Sequence, residues 1–260
     1  NVETLAVVKY VIRDGAAHYR KFGTEKSAGT KSFSLSGNIV KPGNYEVPLA
    51  YPLKDMIYGL GGGFKQGRKL KAVIPGGSSM PPLTREECLT MKMDNESLKA
   101  IGSAIGTAGV IVMDEDTDIL KVLKRITKFY YHESCGQCTP CREGCGWMLR
   151  VLDRIDRGEG RQEDLDLLIS VAENIEGNTI CALGDAAAWP VKWTIRKFRD
   201  EIAKKIPAHK ITLPVLNKVH GVRDYEGYST LKRDNENEVV ESLMGKVQEE
   251  LNDESVRYSG

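Results

Sequence analysis

The chain has 260 residues, 41% of them hydrophobic, and a formal net charge of +1. That suffices for one large core or two small ones, and the near-neutral charge gives no reason to expect nucleic-acid binding. No apolar run approaches the roughly 20 residues that a membrane span needs, and six cysteines without a secretory leader point to free thiols in a reducing, cytoplasmic-type compartment. The sequence opens on Asn1-Val-Glu-Thr4-Leu rather than on methionine, so a fragment missing its front is expected.

Residues 4–22 read as a helix, with Leu5, Val8, Ile12 and Tyr19 at helical spacing and Thr4 as its cap. Gly23 to Thr30 is small and polar, hence a loop. Ser32 to Val40 has a strand pattern broken by Gly37. The turn Lys41-Pro42-Gly43-Asn44 leads into Tyr45-Glu-Val47, which makes a hairpin. Leu53 to Leu60 is a short helix, and Leu70 to Ile74 a compact strand closed by Pro75-Gly76-Gly77. Gly59-Leu-Gly61-Gly-Gly-Phe64 has phenylalanine where a dinucleotide fingerprint needs its third glycine, and no Gly-Lys-Ser/Thr follows either cluster. Both clusters are read as turns and close packing. Thr84 to Met93 is mixed, with Cys88 an isolated inert thiol, and Val110 to Met113 is a short buried strand.

From residue 115 the period becomes helical. Asp116 is placed as cap of a helix carrying Ile119, Leu120, Leu123, Ile126 and Phe129-Tyr130. Trp147 to Ile155 and Asp164 to Ile175 follow. Ala186 to Ile206 is a fourth helix, interrupted early by Pro190, with Trp189, Trp193 and Phe198 taken as core. These four form a bundle. After Pro207 charge density rises, and Val239, Val240, Leu243, Met244, Val247 and Leu251 mark one amphipathic helix in a charged tail.

Between the first two of these helices lies Cys135-Gly-Gln-Cys138-Thr-Pro-Cys141-Arg, three cysteines in seven residues, with Cys181 forty positions further on. Two intervening residues let a turn aim successive sulfurs at one point, which suits a soft metal centre. An iron-sulfur cluster is favoured over zinc, whose sites use two separated pairs or histidines at set spacing, and over reduced structural thiols. The fourth ligand is either Cys145, which completes a ferredoxin-like local run but is followed by Gly146 rather than proline, or Cys181, in the glycine-bounded loop Gly177-Asn-Thr-Ile-Cys181-Ala-Leu-Gly184. We favour Cys181 and read Cys145 as a small buried helix residue.

His132-Glu-Ser-Cys135-Gly-Gln-Cys138-Thr-Pro-Cys141-Arg-Glu-Gly144 and Ile175-Glu-Gly-Asn-Thr-Ile-Cys181-Ala-Leu-Gly-Asp185 resemble the cluster motif and fourth-ligand loop of the flavin- and NADH-binding 51 kDa component of respiratory complex I (NADH:quinone oxidoreductase). Ser36-Gly37 through Pro42-Gly43-Asn-Tyr45-Glu resembles that family's soluble-ligand-binding β-grasp (SLBB) module, and Asn1-Val-Glu-Thr4 the end of its flavin domain. The likeness covers roughly residues 1–205 and not the tail. It implies an α+β fold: a remnant of the flavin domain at 1–30, a β-grasp-like module and connector at 31–114, a helical bundle with the cluster at 115–206, and an unassigned charged tail at 207–260. It implies a 4Fe-4S cluster on Cys135, Cys138, Cys141 and Cys181, FMN contacts at Asn1, Thr4, Ala182 and Leu183, and electrons passing from NADH through FMN and the cluster to partner iron-sulfur subunits of the 24 kDa (E) and 75 kDa (G) types. It places such a subunit on the cytoplasmic side of a bacterial inner membrane, or the matrix side of a mitochondrial one. Cys145 departs from the family pattern. The glycine-rich flavin loop and NADH-holding residues of the family's N-terminal half are absent, so this polypeptide alone is expected not to oxidise NADH. Subunits of NAD-reducing hydrogenases and NAD-linked formate dehydrogenases share both motifs and are the near alternatives; a zinc-stapled interaction module is the distant one.

Overall fold

A computed structural model describes residues 2–207. The amphipathic tail helix expected at 239–251 lies outside them. The expected first helix is two: α1 (Val2–Asp14) and α2 (Ala16–Tyr19), parted at Gly15, whose φ of +85° is left-handed. α1 has already begun at Val2, so Thr4 sits inside its first turn and is not a cap. No residue of α1 is buried; its Glu3 carboxylate accepts from Ser32 N–H at 2.8 Å and pairs with Lys31.

β1 (Thr30–Gly37) and β2 (Gly43–Pro48) form the hairpin, antiparallel with Leu35 opposite Gly43. β3 (Tyr51–Pro52) leads into α3 (Leu53–Asp55), which continues as a π-helical turn over Met56–Leu60. β4 (Leu70–Ile74) and β5 (Leu83–Thr84) follow. Two short helices then stand where the sequence pattern is mixed: α4 (Arg85–Thr90) and, after β6 (Lys92–Met93), α5 (Asn95–Ala100). Both carry capping signals. Thr84 and Glu87 form a reciprocal capping box, and Asp94 accepts from Ser97 N–H at 2.6 Å. β7 (Gly109–Asp114) completes a five-stranded sheet in the order β2-β1-β7-β4-β5, in which only β1 and β7 run parallel; β3 and β6 pair separately.

The two central strands are apolar on both faces because both are covered. Val73, Val110 and Val112 join a core with Phe33, Leu35, Met56 and Leu98, whereas Ala72, Ile74 and Met113 join the helical core. A register shift between Leu70 and Ala72 lets these two, of the same parity, face opposite ways. Gly76 closes β4 where a Cβ would lie 2.3 Å from the Ile105 carbonyl and 2.4 Å from that of Ala104. Both obstacles are backbone, so Gly76→Ala is expected to lower stability by about 1–3 kcal/mol, read from the denaturant midpoint.

The helices are α6 (Ile119–Glu133), α7 (Thr139–Asp156), α8 (Glu163–Ile175) and α9 (Leu183–Ala203). They pack as a bundle through α6–α7, α7–α8, α8–α9 and α6–α9 contacts. The cap of α6 is Asp118, which accepts from Lys121 N–H at 3.2 Å; Asp116 instead pairs with Arg68 at 3.0 Å. α7 starts eight residues before the expected Trp147, because Pro140 in its first turn has a preset φ and no N–H to leave unpaired. α9 starts at Leu183 and runs through Pro190 without interruption; its one departure is at Phe198 (φ −122°, ψ 25°). Trp189, Trp193 and Phe198 are half-buried rather than fully in the core.

Candidate metal centre

All six cysteines are free thiols. The α6 helix ends at Glu133, and the chain turns through Gly136 at φ +79° before Cys138 caps α7. The left-handed Gly136 makes this short reversal possible. Arg142 braces it from the helix, donating to the Gly136 carbonyl at 3.0 Å. The three cysteines therefore do not all lie in one bend. Cys135 is on the turn and exposed, Cys138 is the half-buried cap, and Cys141 lies in the first turn of α7, 6% exposed. Its sulfur stands 3.2 Å from Ser134 Oγ and 3.9 Å from Cys145 Sγ.

Cys145 is wholly buried in the helical core with Met148, Leu152 and Ile155, its neighbours on the inner face of α7. Burial, then the adjacent Cys141, pushes its thiol up to about 12. Cys88 is equally buried, in the other core, and burial raises its thiol strongly; it takes no part here.

Cys181 comes from the α8–α9 connection. Ile180 N–H in that connection donates to Cys138 Sγ at 3.3 Å across 42 positions of sequence. This contact, which spacing alone does not reveal, seats the Cys181 loop on the cysteine triplet. Thr179 Oγ1 donates to the Cys181 carbonyl at 2.9 Å, and Gly177 N–H to Asp185 Oδ1 at 2.8 Å. Gly184 is required because its Cβ would lie 2.3 Å from Thr179 Oγ1. At the root of the loop, Glu176 accepts from Trp189 Nε1 at 2.8 Å and pairs with Lys192. Burial pushes the Glu176 carboxyl up, but those two hydrogen bonds more than offset it and hold it below its ordinary value.

Cys138 and Ala182 are the N-caps of α7 and α9, so two helix N-termini open onto the same place. Their partial positive charges favour an anionic group held between them. Among the described residues, no three His, Cys, Asp or Glu side chains close on a single ion. Four cysteine thiolates are the donor set that a 4Fe-4S cluster takes, and one that structural zinc takes as well.

Of the four residues expected at a flavin, Thr4, Ala182 and Leu183 are among the described residues. Asn1 is outside the described residues. Thr4 lines a cavity of about 380 Å³ with Glu3, Val7, Val11, Lys31 and Leu49, to which neither Ala182 nor Leu183 contributes. Ala182 is exposed, and Leu183 packs against the helical core.

A family model described as the NADH-ubiquinone oxidoreductase-F iron-sulfur binding region matches residues 121–205, and one for the SLBB domain matches residues 31–122. The F-type subunit of NADH-quinone oxidoreductase from Rickettsia bellii (strain OSU 85-389) is 51% identical over 207 residues, 79% of this chain and 50% of that protein. Its counterpart from Rickettsia akari (strain Hartford) is 48% identical over 214 residues, 82% of this chain and 50% of that one. The crystal structure of an NAD+-reducing NiFe hydrogenase in its H2-reduced state is similar with a TM-score of 0.73 and 31% identity, covering 81% of this chain and 35% of that one. The chain thus spans about half the length of the curated relatives it matches. No helix among the described residues is long and apolar enough to cross a membrane.

Proposed function

Because the chain belongs to the family of F-type NADH-quinone oxidoreductase subunits, we propose that it is the electron-exit segment of such a subunit, holding a 4Fe-4S cluster on Cys135, Cys138, Cys141 and Cys181. The observation that carries this reading is the Ile180-to-Cys138 hydrogen bond, which brings the fourth thiol's loop to the other three. When bound, the cluster supplies one-electron acceptance and release between a two-electron flavin and single-electron carriers. The chain's own residues do the rest. The four thiolates would hold it, the N-termini of α7 and α9 would favour its negative charge, and Arg142, paired with Glu143, would brace the Gly136 turn that carries Cys135.

Cys135 and Cys181 are exposed, and Ile180, the residue before Cys181, is 83% exposed. On this reading, electrons reach the cluster from NADH-reduced FMN past the Ala182-Leu183 backbone, with Asn1 and Thr4 also serving FMN. They leave toward clusters in the E- and G-type partner subunits. The assembly is a peripheral one, on the cytoplasmic face of a bacterial inner membrane or the matrix face of a mitochondrion. The likeness to an NAD+-reducing hydrogenase supports a second reading, the equivalent subunit of such an enzyme; identities near one half favour the quinone oxidoreductase.

Anaerobic reconstitution of the chain tests the cluster. About four irons and four acid-labile sulfides per chain, with broad visible absorption, are expected. A colourless protein that retains zinc overturns the reading.

A further inference from the structure

The Cys181 loop has almost nothing apolar to hold it. Gly177, Asn178, Ile180, Cys181 and Ala182 are all exposed, so its shape must come from polar anchors. Its far end is fixed by running into α9. Its near end is fixed to that same helix by Glu176, whose two carboxylate oxygens receive Trp189 Nε1 at 2.8 Å and the Lys192 ammonium. Trp189 and Lys192 stand three residues apart and so share a face of α9. The Lys192 side chain is only 12% exposed, and that of Glu176 is 32% exposed, so the ammonium end of the pair is the covered one. The Glu176 carbonyl also accepts from Asn178 Nδ2 at 3.1 Å. The loop is therefore a strap with both ends on one helix and Cys181 near its outer end.

We propose that Glu176 is a positioning residue for the fourth cluster ligand, acting through Trp189 and Lys192 to hold the Cys181 thiolate against the pull of solvent. The inference rests on the cluster reading above and extends it to a residue that touches no iron. Ligands held by outer partners bind metal roughly 10-fold to 100-fold better than the same ligands without them. Without Glu176 the near end of the strap keeps only the Gly177 N–H bond to Asp185 as its tie to α9, and the iron on Cys181 would be the one most easily lost.

The structure supplies its own control. Glu173, one turn earlier on α8, makes the neighbouring ion pair to α9 with Arg196 at 2.7 Å, yet touches no part of the loop. Reconstituted wild type, Glu176→Ala, Glu176→Gln, Trp189→Phe and Glu173→Ala would be exposed to ferricyanide, and conversion of the four-iron to a three-iron cluster followed by electron paramagnetic resonance. Glu176→Ala is expected to convert roughly 10-fold to 100-fold faster than wild type. Glu176→Gln, which keeps an acceptor for Trp189, should recover most of that loss. Trp189→Phe should shift in the same direction by less, and Glu173→Ala should match wild type. Conversion of Glu176→Ala at the Glu173→Ala rate overturns the inference, whatever the melting temperatures. If Glu176→Ala fails to fold, wild-type rates in both Glu176→Gln and Trp189→Phe overturn it instead. Wild-type protein that takes up no cluster overturns the cluster reading first, and this inference with it.

Discussion

Cys181→Ala is expected to abolish retention of a four-iron cluster, and Cys145→Ala to leave it in place. The two thiols differ in surroundings more than in distance along the chain. Cys145 is wholly buried and belongs to the inner stripe of α7, where Cys141, Cys145, Met148, Leu152 and Ile155 succeed one another at intervals of three and four. Cys141 is the outermost member of that stripe, at the helix's first turn, where its sulfur meets Ser134 and the loop. One turn deeper, Cys145 faces Leu and Met side chains, and a thiolate there would lack the polar partners that a buried charge requires. Cys181 is exposed, lies at the N-terminus of α9, and adjoins the Ile180 amide bound to Cys138. Iron content and visible absorption after anaerobic reconstitution decide between them. A cluster that survives Cys181→Ala but not Cys145→Ala would move the fourth ligand to α7.

The preference for Cys181 can be formed from the residue pattern alone, whereas the burial and contacts argued for it come from the structure. The triplet and the distant loop mark a soft-metal site; the start of α7 at Thr139, which turns Cys141 from a loop residue into a helix residue, is harder to see. Trp147 is the first strongly apolar residue after the triplet and draws the expected boundary to itself, although it is 51% exposed. The true start is marked by Pro140, a signal of position rather than of hydrophobicity. The strands Leu70–Ile74 and Gly109–Asp114 are readable because they are apolar on both faces, a pattern that survives without knowing what covers them. α4 and α5, of six residues each, escape notice because so short a segment shows little period, though both carry sound caps. The Glu176–Trp189 contact joins the end of one helix to the middle of the next. No local pattern encodes it, and only the packing of α8 on α9 brings the partners together.

A large loss of stability is expected at Leu152. It is fully buried on α7, the helix that packs against α6, α8 and α9 and presents Cys141 at its start. Leu152→Ala removes the transfer free energy of the deleted carbons and leaves a cavity that the close-packed helical core around it cannot fill completely. The expected cost is about 2–5 kcal/mol, a large part of the roughly 5–15 kcal/mol that holds a folded domain together. In metal-free protein this should lower the denaturant midpoint with little change of slope. In reconstituted protein the same substitution should lower it from a higher starting point, since a group that binds only the folded chain adds its own binding free energy to stability. A shift below about 1 kcal/mol, the level expected for surface substitutions and mild core swaps, would mean that the stripe on α7 is not the packing face that carries Cys141 to its place.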